Sequence, residues 1–308
     1  MKPRKIILLA GIALLLCICI IQAVSSANDK VRIFEFSGEP DEIVLENADG
    51  TITLVKNGEE WFVGEEKYPA ADSAVDDMIN SLKSIKALDK VSSSGSDDAL
   101  LRYELNEGKR KTVTARKEGK VLRALAVGKD ATAGSQSYIT IDGGKDVYLA
   151  TGNLSSAFDK SVDELRSRAV LSLDKALISA VSISDSEGRS WSLARSGSGM
   201  DVNWSISGAD IEVDPELAKN FLEGLGTFVS AKWHDRDEKL GGEKLVSAKI
   251  TLSSPASKVI SFELYKIPAA SEDGNDIFWG TCSETPYTFE LASYAAQKLI
   301  KNPEELAK

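Results

Sequence analysis

Residues 61–85 read WFVGEEKYPAADSAVDDMINSLKSI, and residues 204–228 read WSISGADIEVDPELAKNFLEGLGTF. Each stretch opens on a tryptophan and passes into helical spacing. Counted from Trp61, offsets 14, 17, 18, 21 and 24 fall on Val75, Met78, Ile79, Leu82 and Ile85; from Trp204 they fall on Ala218, Phe221, Leu222, Leu225 and Phe228. That spacing lines five apolar side chains along one helical face, and it predicts the same amphipathic helix twice. Start signals accompany both. Ser73 with Asp76 three residues later resembles a capping box, and Asp214-Pro215 supplies an N-cap followed by proline at the first helical position. Asp72, Asp76 and Asp77 are read as carboxylates that complement the helix dipole. Gly224 and Gly226 weaken the end of the second helix.

Working outward, each helix sits between strand-rich stretches. Before the first, Ile43 to Leu45, then Ile52 with Leu54, then Trp61 with Val63 alternate as strands around Asp49-Gly50 and Asn57-Gly58 turns. Before the second, Val181 with Ile183, then Trp191 with Leu193, then Trp204 with Ile206 repeat that order around Glu187-Gly188. After the first come Lys111 to Ala115, Val121 to Val127, Tyr138 to Ile141 and Val147 to Leu149, with turns at Glu118-Gly119 and Asp142-Gly143-Gly144. After the second come Lys249 to Leu252, Val259 to Tyr265, Ile277 to Trp279 and Tyr287 to Phe289. Short helical runs close each copy: Leu154, Phe158, Val162 and Leu165 in one, Leu291, Tyr294, Ala295 and Leu299 in the other.

A period of roughly 140 residues is too long for a solenoid. The expected fold class is α+β: two similar β-rich domains arising from an internal duplication, 28–168 and 169–308, each with an amphipathic helix packed on antiparallel strands.

Residues 1–27 are expected to be a membrane anchor or signal segment. Lys2, Arg4 and Lys5 precede an uncharged run from Ile6 to Val24. As a helix that run reaches about 28 Å, close to the hydrocarbon thickness of a bilayer. The basic flank directs the N-terminus to the cytoplasm, so the bulk of the chain is expected outside the inner membrane, in the periplasm. Ser25 and Ala27 offer a cleavage site before Asn28, which would instead release a secreted protein. Cys17 and Cys19 raise a lipoprotein signal, but Leu16 and Ile18 stand where a small residue is wanted.

Setting aside the three leading cations leaves 34 Lys and Arg against 47 Asp and Glu, a net charge of −13. This argues against a nucleic-acid partner and against docking on anionic lipid, which both call for basic surface. Cys282 is the sole cysteine outside the apolar run, so no intramolecular disulfide joins the outer region.

Chemistry-bearing residues are sparse. His234, the only histidine, stands beside Asp235, Arg236 and Asp237; it reads as a solvated loop residue and closes His-cluster metal sites. Cys282 has no basic neighbour in sequence and reads as an ordinary thiol. Glu272-Asp273-Gly274-Asn275-Asp276 offers oxygen ligands but not an EF-hand loop, and is read as a solvated loop. Ser196-Gly197-Ser198-Gly199 lacks a following Lys-Ser/Thr and reads as a hairpin loop. Trp61 and Trp204 are expected in the core. Trp233, Trp279, Tyr287 and Tyr294 are available to line a glycan or peptide groove, although 7% aromatic content gives no surplus that demands one. No catalytic, cofactor-binding or metal-binding residue is assigned, and no cofactor.

The order of a strand pair, Gly50-x-x-x-Leu54, Trp61-x-Val63, Pro69-Ala70-Ala71-Asp72 and an amphipathic helix resembles the bacterial family catalogued as domain of unknown function 4340. Leu165-Arg166-Ser167-Arg168, then Leu171, Leu173-Asp174 and Ile178 to Ile183, is similar to that family's hinge into its second half. The resemblance runs from about Ile33 to near the C-terminus. It departs at Glu104-Leu105-Asn106-Glu107-Gly108, where the family often carries a Gly-Leu-x-x-Pro turn. The resemblance implies a membrane-anchored extracytoplasmic protein beside ABC-type transporter components, without a known catalytic residue.

The expectation is therefore a non-catalytic accessory or binding protein, not an enzyme. It is tethered through its N-terminal helix and has a protein partner in the cell envelope. The alternatives are an envelope-polymer hydrolase whose paired carboxylates come from distant loops, and a secreted ligand carrier.

Overall fold

The computed structural model describes residues 15–20, 31–93, 95–132, 134–197, 202–253, 258–269, 271 and 274–308. The expected leader lies outside the described residues except for 15–20, which are helical and exposed. Among the described residues no helix is long and apolar enough to cross a membrane. What is described is α+β and β-rich, mostly antiparallel sheet with a few helices. Two compact units divide the chain, Met1–Ser167 and Arg168–Lys308.

Unit 1 begins with β1 (Arg32–Glu35), β2 (Glu42–Asn47), β3 (Gly50–Asn57), β4 (Glu60–Val63) and β5 (Tyr68–Pro69). Helix α1 (Asp72–Lys83) leads directly into β6 (Ser84–Ser92), and α2 (Asp97–Arg102) follows. The second strand-rich stretch is β7 (Lys111–Lys117), β8 (Lys120–Asp130), β9 (Gln136–Ile141) and β10 (Val147–Thr151), closed by α3 (Leu154–Phe158) and α4 (Val162–Leu165). Its ten strands form one antiparallel sheet in the order β1-β6-β10-β9-β8-β7-β2-β3-β4-β5. Strand alternation explains the inner face: Ile43, Leu54, Val63, Val113 and Ala115 are all fully buried, and α1 lays Val75, Met78, Ile79 and Leu82 on that core. At about 1.5–3 kcal/mol per buried aliphatic side chain, this face supplies most of the drive for the unit to fold.

Unit 2 contains β11 (Ala169–Ser172), β12 (Ile178–Asp185), β13 (Ser190–Ser196) and β14 (Asn203–Ser207), then α5 (Pro215–Gly224), β15 (Thr227–Val229) and β16 (Lys232–Arg236). It ends with β17 (Glu243–Leu252), β18 (Val259–Ile267), β19 (Ile277–Cys282), β20 (Thr285–Leu291) and α6 (Ser293–Ala296). The order β14-β13-β12-β17-β18-β19-β20-β16 matches β4-β3-β2-β7-β8-β9-β10-β6 position for position. Where β6 runs unbroken and pairs with both β1 and β10, unit 2 splits the same path: β15 pairs with β11 and β16 with β20.

The ends of the units correspond in detail. Ala71 N–H donates to Leu165 O at 2.8 Å and Ser167 N–H to Pro69 O at 2.7 Å. In unit 2, Asp214 N–H donates to Leu306 O at 2.8 Å and Lys308 N–H to Glu212 O at 3.0 Å. Leu165 and Leu306 are both buried. Their sequences, Lys160-Ser-Val-Asp-Glu-Leu165 and Lys301-Asn-Pro-Glu-Glu-Leu306, share a pattern that the sequence reading passed over. In each, the glutamate before the leucine accepts from a backbone N–H three residues earlier, at 2.8 Å for Glu164 and 3.0 Å for Glu305.

Several expectations need correction. The N-cap of α1 is Ala71 with no side-chain bond, so Ser73 and Asp76 form no capping box. By contrast, Asp214 Oδ1 does cap α5, accepting from Glu216 N–H and Leu217 N–H. Ile85 and Phe228 continue the apolar spacing but lie in β6 and β15, because each helix ends earlier and the chain enters a strand. Leu225 is the C-cap of α5. Leu291 belongs to β20, and Tyr294 is 74% exposed. Trp61 is buried, whereas Trp204 is only half-buried at the border of its core. Residues Glu104 to Gly108 close α2 with Glu104 at φ 56° and Leu105 buried.

Candidate functional site

The sole histidine is not in a solvated loop. His234 lies in β16, whose pairing with β20 sets Lys232 opposite Glu290. Its Nε2 is 2.7 Å from Glu290 Oε1, and its Nδ1 is 3.6 Å from Glu238 Oε2. The ring side chain is only 12% exposed. The contact spans 56 residues, so the local sequence, with its run of charges, gave the wrong environment.

Farther along the sheet, on the paired strands β18 and β19, Tyr265 and Trp279 stack at 4.2 Å with an interplanar angle of 9°, and the indole N–H donates to Gly241 O at 2.7 Å. Tyr265 donates to Glu263, which also accepts from Lys244 at 2.6 Å. Those hydrogen bonds, Lys244 first, hold the Glu263 carboxyl below its usual range. Trp233 packs edge-on against Phe289 and Tyr287. Three of the four aromatics considered for a groove are thus engaged within unit 2, and Tyr294 stands apart and exposed. Among the described residues no group of three or more His, Cys, Asp and Glu is placed to hold a metal ion.

Part of the Glu272–Asp276 run lies outside the described residues. Asp276 itself is 2.7 Å from Lys266 and accepts from Ala269 N–H, so its carboxylate is engaged. Ser196 and Gly197 continue from β13 toward β14, with Ser196 opposite Asn203; Ser198 and Gly199 lie outside the described residues.

Cys282 is buried in β19, and burial pushes its thiol up to about 11. A raised native value means the fold holds the protonated form. Its contribution is complete below the unfolded value of 9.0 and is lost as pH rises through about 11. The expected outcome is that iodoacetamide at pH 8 leaves Cys282 unmodified in the native chain and alkylates it in urea, read by peptide mass spectrometry. Native labelling would contradict the buried position.

Three of the recesses among the described residues bear on binding. In unit 2 a cleft of about 470 Å³ lies between the β12–β13 turn and the terminal segment, lined by Ile183, Asp185, Arg189, Trp191, Leu299 and Glu304. Arg189 is held at its mouth by Asp185 at 2.6 Å and Glu187 at 3.2 Å. Unit 1 carries a cleft of about 560 Å³ at the corresponding place, lined by Asn47, Asp49, Ile52, Asp159, Lys160 and Glu164. The turns that form them are built alike: Asn47 Oδ1 accepts from Asp49 and Gly50 N–H, and Asp185 Oδ1 accepts from Glu187 and Arg189 N–H. The third recess, about 920 Å³, runs between β13–β14 and the start of α5, with Arg195, Trp204, Pro215, Glu216 and Lys219 on its walls.

One residue escaped the sequence reading altogether. Arg123, in β8, is 2% exposed, and neither its Nε nor its Nη1 has a hydrogen-bond partner. Asp142 stands 3.6 Å from Nη1 and the Phe36 ring 5.3 Å from the guanidinium carbon. Ala115 faces Arg123 in unit 1 as Ile250 faces Ile260 in unit 2, so the corresponding residue is a fully buried isoleucine. The alternation of β8 puts Arg123 on the same inward face as Leu125 and Val127, and that was the available signal.

A family model described as Domain of unknown function (DUF4340) matches residues 61–244. No curated protein and no solved structure matches this chain. The matched span covers more than half of the 308 residues, runs from the tryptophan of β4 through both amphipathic helices, and ends at the start of β17. The chain therefore belongs to the family of domain of unknown function 4340.

Proposed function

We propose that this protein is a non-catalytic accessory or binding protein of the cell envelope. It is tethered to the inner membrane by its N-terminal segment, with both units on the extracytoplasmic side and, by the family's resemblance, near an ABC-type transporter or envelope complex. We read the second unit as an internal duplicate of the first. The observation that carries the binding reading is the pair of corresponding clefts. Their frame is kept while the chemistry of their walls differs: Asn47, Gly50 and Ile52 stand in one where Asp185, Arg189 and Trp191 stand in the other. Recesses of this size on a rigid sheet end suit recognition by surface complementarity. The address is supported by the uncharged run from Ile6 to Val24 behind Lys2, Arg4 and Lys5.

Alkaline phosphatase fused after Lys308 is expected to be active, and the protein is expected to stay with membranes through a carbonate wash. A C-terminal reporter active only inside the cell overturns the address, and a mature N-terminus at Asn28 overturns the retained anchor. Crosslinking in intact cells with mass spectrometry is expected to capture an envelope protein; turnover of an envelope polymer by the purified chain would overturn the non-catalytic reading.

A further inference from the structure

Strand β14 ends the second sheet, and no strand lies beyond it among the described residues. At the corresponding edge of unit 1 the place is filled. Phe62 pairs with Pro69 and Val63 with Tyr68, and the Trp61 carbonyl accepts from Ala70 N–H at 2.8 Å. Backbone groups alternate from side to side along a strand. Arg195 stands opposite Trp204 as Lys56 stands opposite Trp61. The N–H and C=O of Trp204 and Ile206 are therefore directed at the open edge.

Proteins usually blunt such edges with charge, proline or shortness. Strand β1 carries Arg32 and Glu35, β5 is two residues long and contains Pro69, and β16 carries Lys232, Asp235 and Arg236. Strand β14 reads Asn203-Trp204-Ser205-Ile206-Ser207, with neither charge nor proline. Along its inner side runs the groove of about 920 Å³, with α5 as the far wall. An open strand beside a helix-walled groove is the arrangement by which sheets take up extended peptides. On the groove walls Arg195, whose Nη2 donates to Ala176 O, and Lys219, 4.0 Å from Glu223, stand against Glu216, and the remaining N–H groups of Arg195 are the donors offered to an acidic side chain.

We propose that unit 2 binds an extended segment of a partner protein by strand addition to β14, with an acidic side chain of that segment entering the groove toward Arg195 and Lys219. This rests on the reading of the chain as a binding protein and names the chemistry of its partner. Main-chain bonds to Trp204 and Ile206 set the register. Side chains on one face of the added strand enter the groove, and those on the other lie beside Ser207, whose hydroxyl is 2.7 Å from that of Ser192.

The test titrates the full chain with an acetylated, amidated nine-residue peptide alternating valine and threonine around one central glutamate. Binding is expected to saturate and to slow amide exchange at Trp204 and Ile206. Ile206→Pro removes an outward N–H while leaving the ladder to β13, and is expected to weaken binding about tenfold. Arg195→Gln is expected to weaken the glutamate peptide about fivefold and leave a glutamine version unchanged. Absence of saturation, unchanged binding by a folded Ile206→Pro chain, or equal binding of glutamate and glutamine peptides to the native chain overturns the proposal. Protection of β14 without peptide in a chain that sediments as a dimer also overturns it, by giving the edge to a second copy. A cytoplasmic reporter result overturns the address while leaving the titration standing, and a negative titration leaves the address intact.

Discussion

Phe262→Ala is expected to lower the stability of unit 2 by about 3–5 kcal/mol. Phe262 is 2% exposed in β18, with ring centroids 4.9 Å from Phe228 and 6.1 Å from Phe289, so it joins the strand after α5 to the far side of the sheet. Removing the ring deletes its own burial and leaves a void between Phe228 and Phe289. Phe262→Leu is the control. The corresponding residue of unit 1 is Leu125, also 2% exposed, so an aliphatic side chain fits this position of the frame and the cost falls to about 1–1.5 kcal/mol. Urea unfolding with amide exchange in unit 2 gives both values. A loss below about 1 kcal/mol for the alanine variant would mean that this aromatic cluster is not close-packed.

Arg123→Met is expected to act in the opposite direction, raising stability by about 1–2 kcal/mol. A buried guanidinium loses its hydration, and desolvation is the main cause of the lowered Arg123 pKa, with Asp142 opposing it. The remaining contacts are weak offsets: Asp142 is 3.6 Å away with a side chain 52% exposed, and the Phe36 ring gives a cation–π contact. Methionine retains length and flexibility without the charge, and the fully buried Ile260 marks the same place as compatible with an apolar residue. Arg123→Ala, which leaves a cavity, is expected to destabilise. If Arg123→Met instead loses more than about 1 kcal/mol in urea unfolding, the guanidinium is a net contributor and must find partners in solution.

The hairpins around Asn57-Gly58, Glu118-Gly119 and Glu187-Gly188 were legible because turn chemistry and two-residue alternation are local. Glu118 and Gly119 adopt φ 50° and 75°, the left-handed pair such a tight hairpin requires. The buried face of each helix was legible for the same reason. Strand β6 was not, since Asp89 breaks the inward alternation begun by Ile85 and Ala87 and its place between β1 and β10 comes from partners far along the chain. The candidate sites were less legible than the fold. Trp204 shares its sequence context with Trp61, yet one borders an open groove and the other is covered, because among the described residues the covering strand pairs only in unit 1.

By itself, then, the sequence determined the α+β class, the strands and turns, the two matching helices and the family, because side-chain periodicity and turn preference act over a few residues. Tertiary structure alone decided that His234 meets Glu290, that an arginine is enclosed where the other unit has isoleucine, and that β14 is left as an open edge among the described residues. Each depends on which strand lies next to which, and that choice is made by burial summed over residues 50 or more apart.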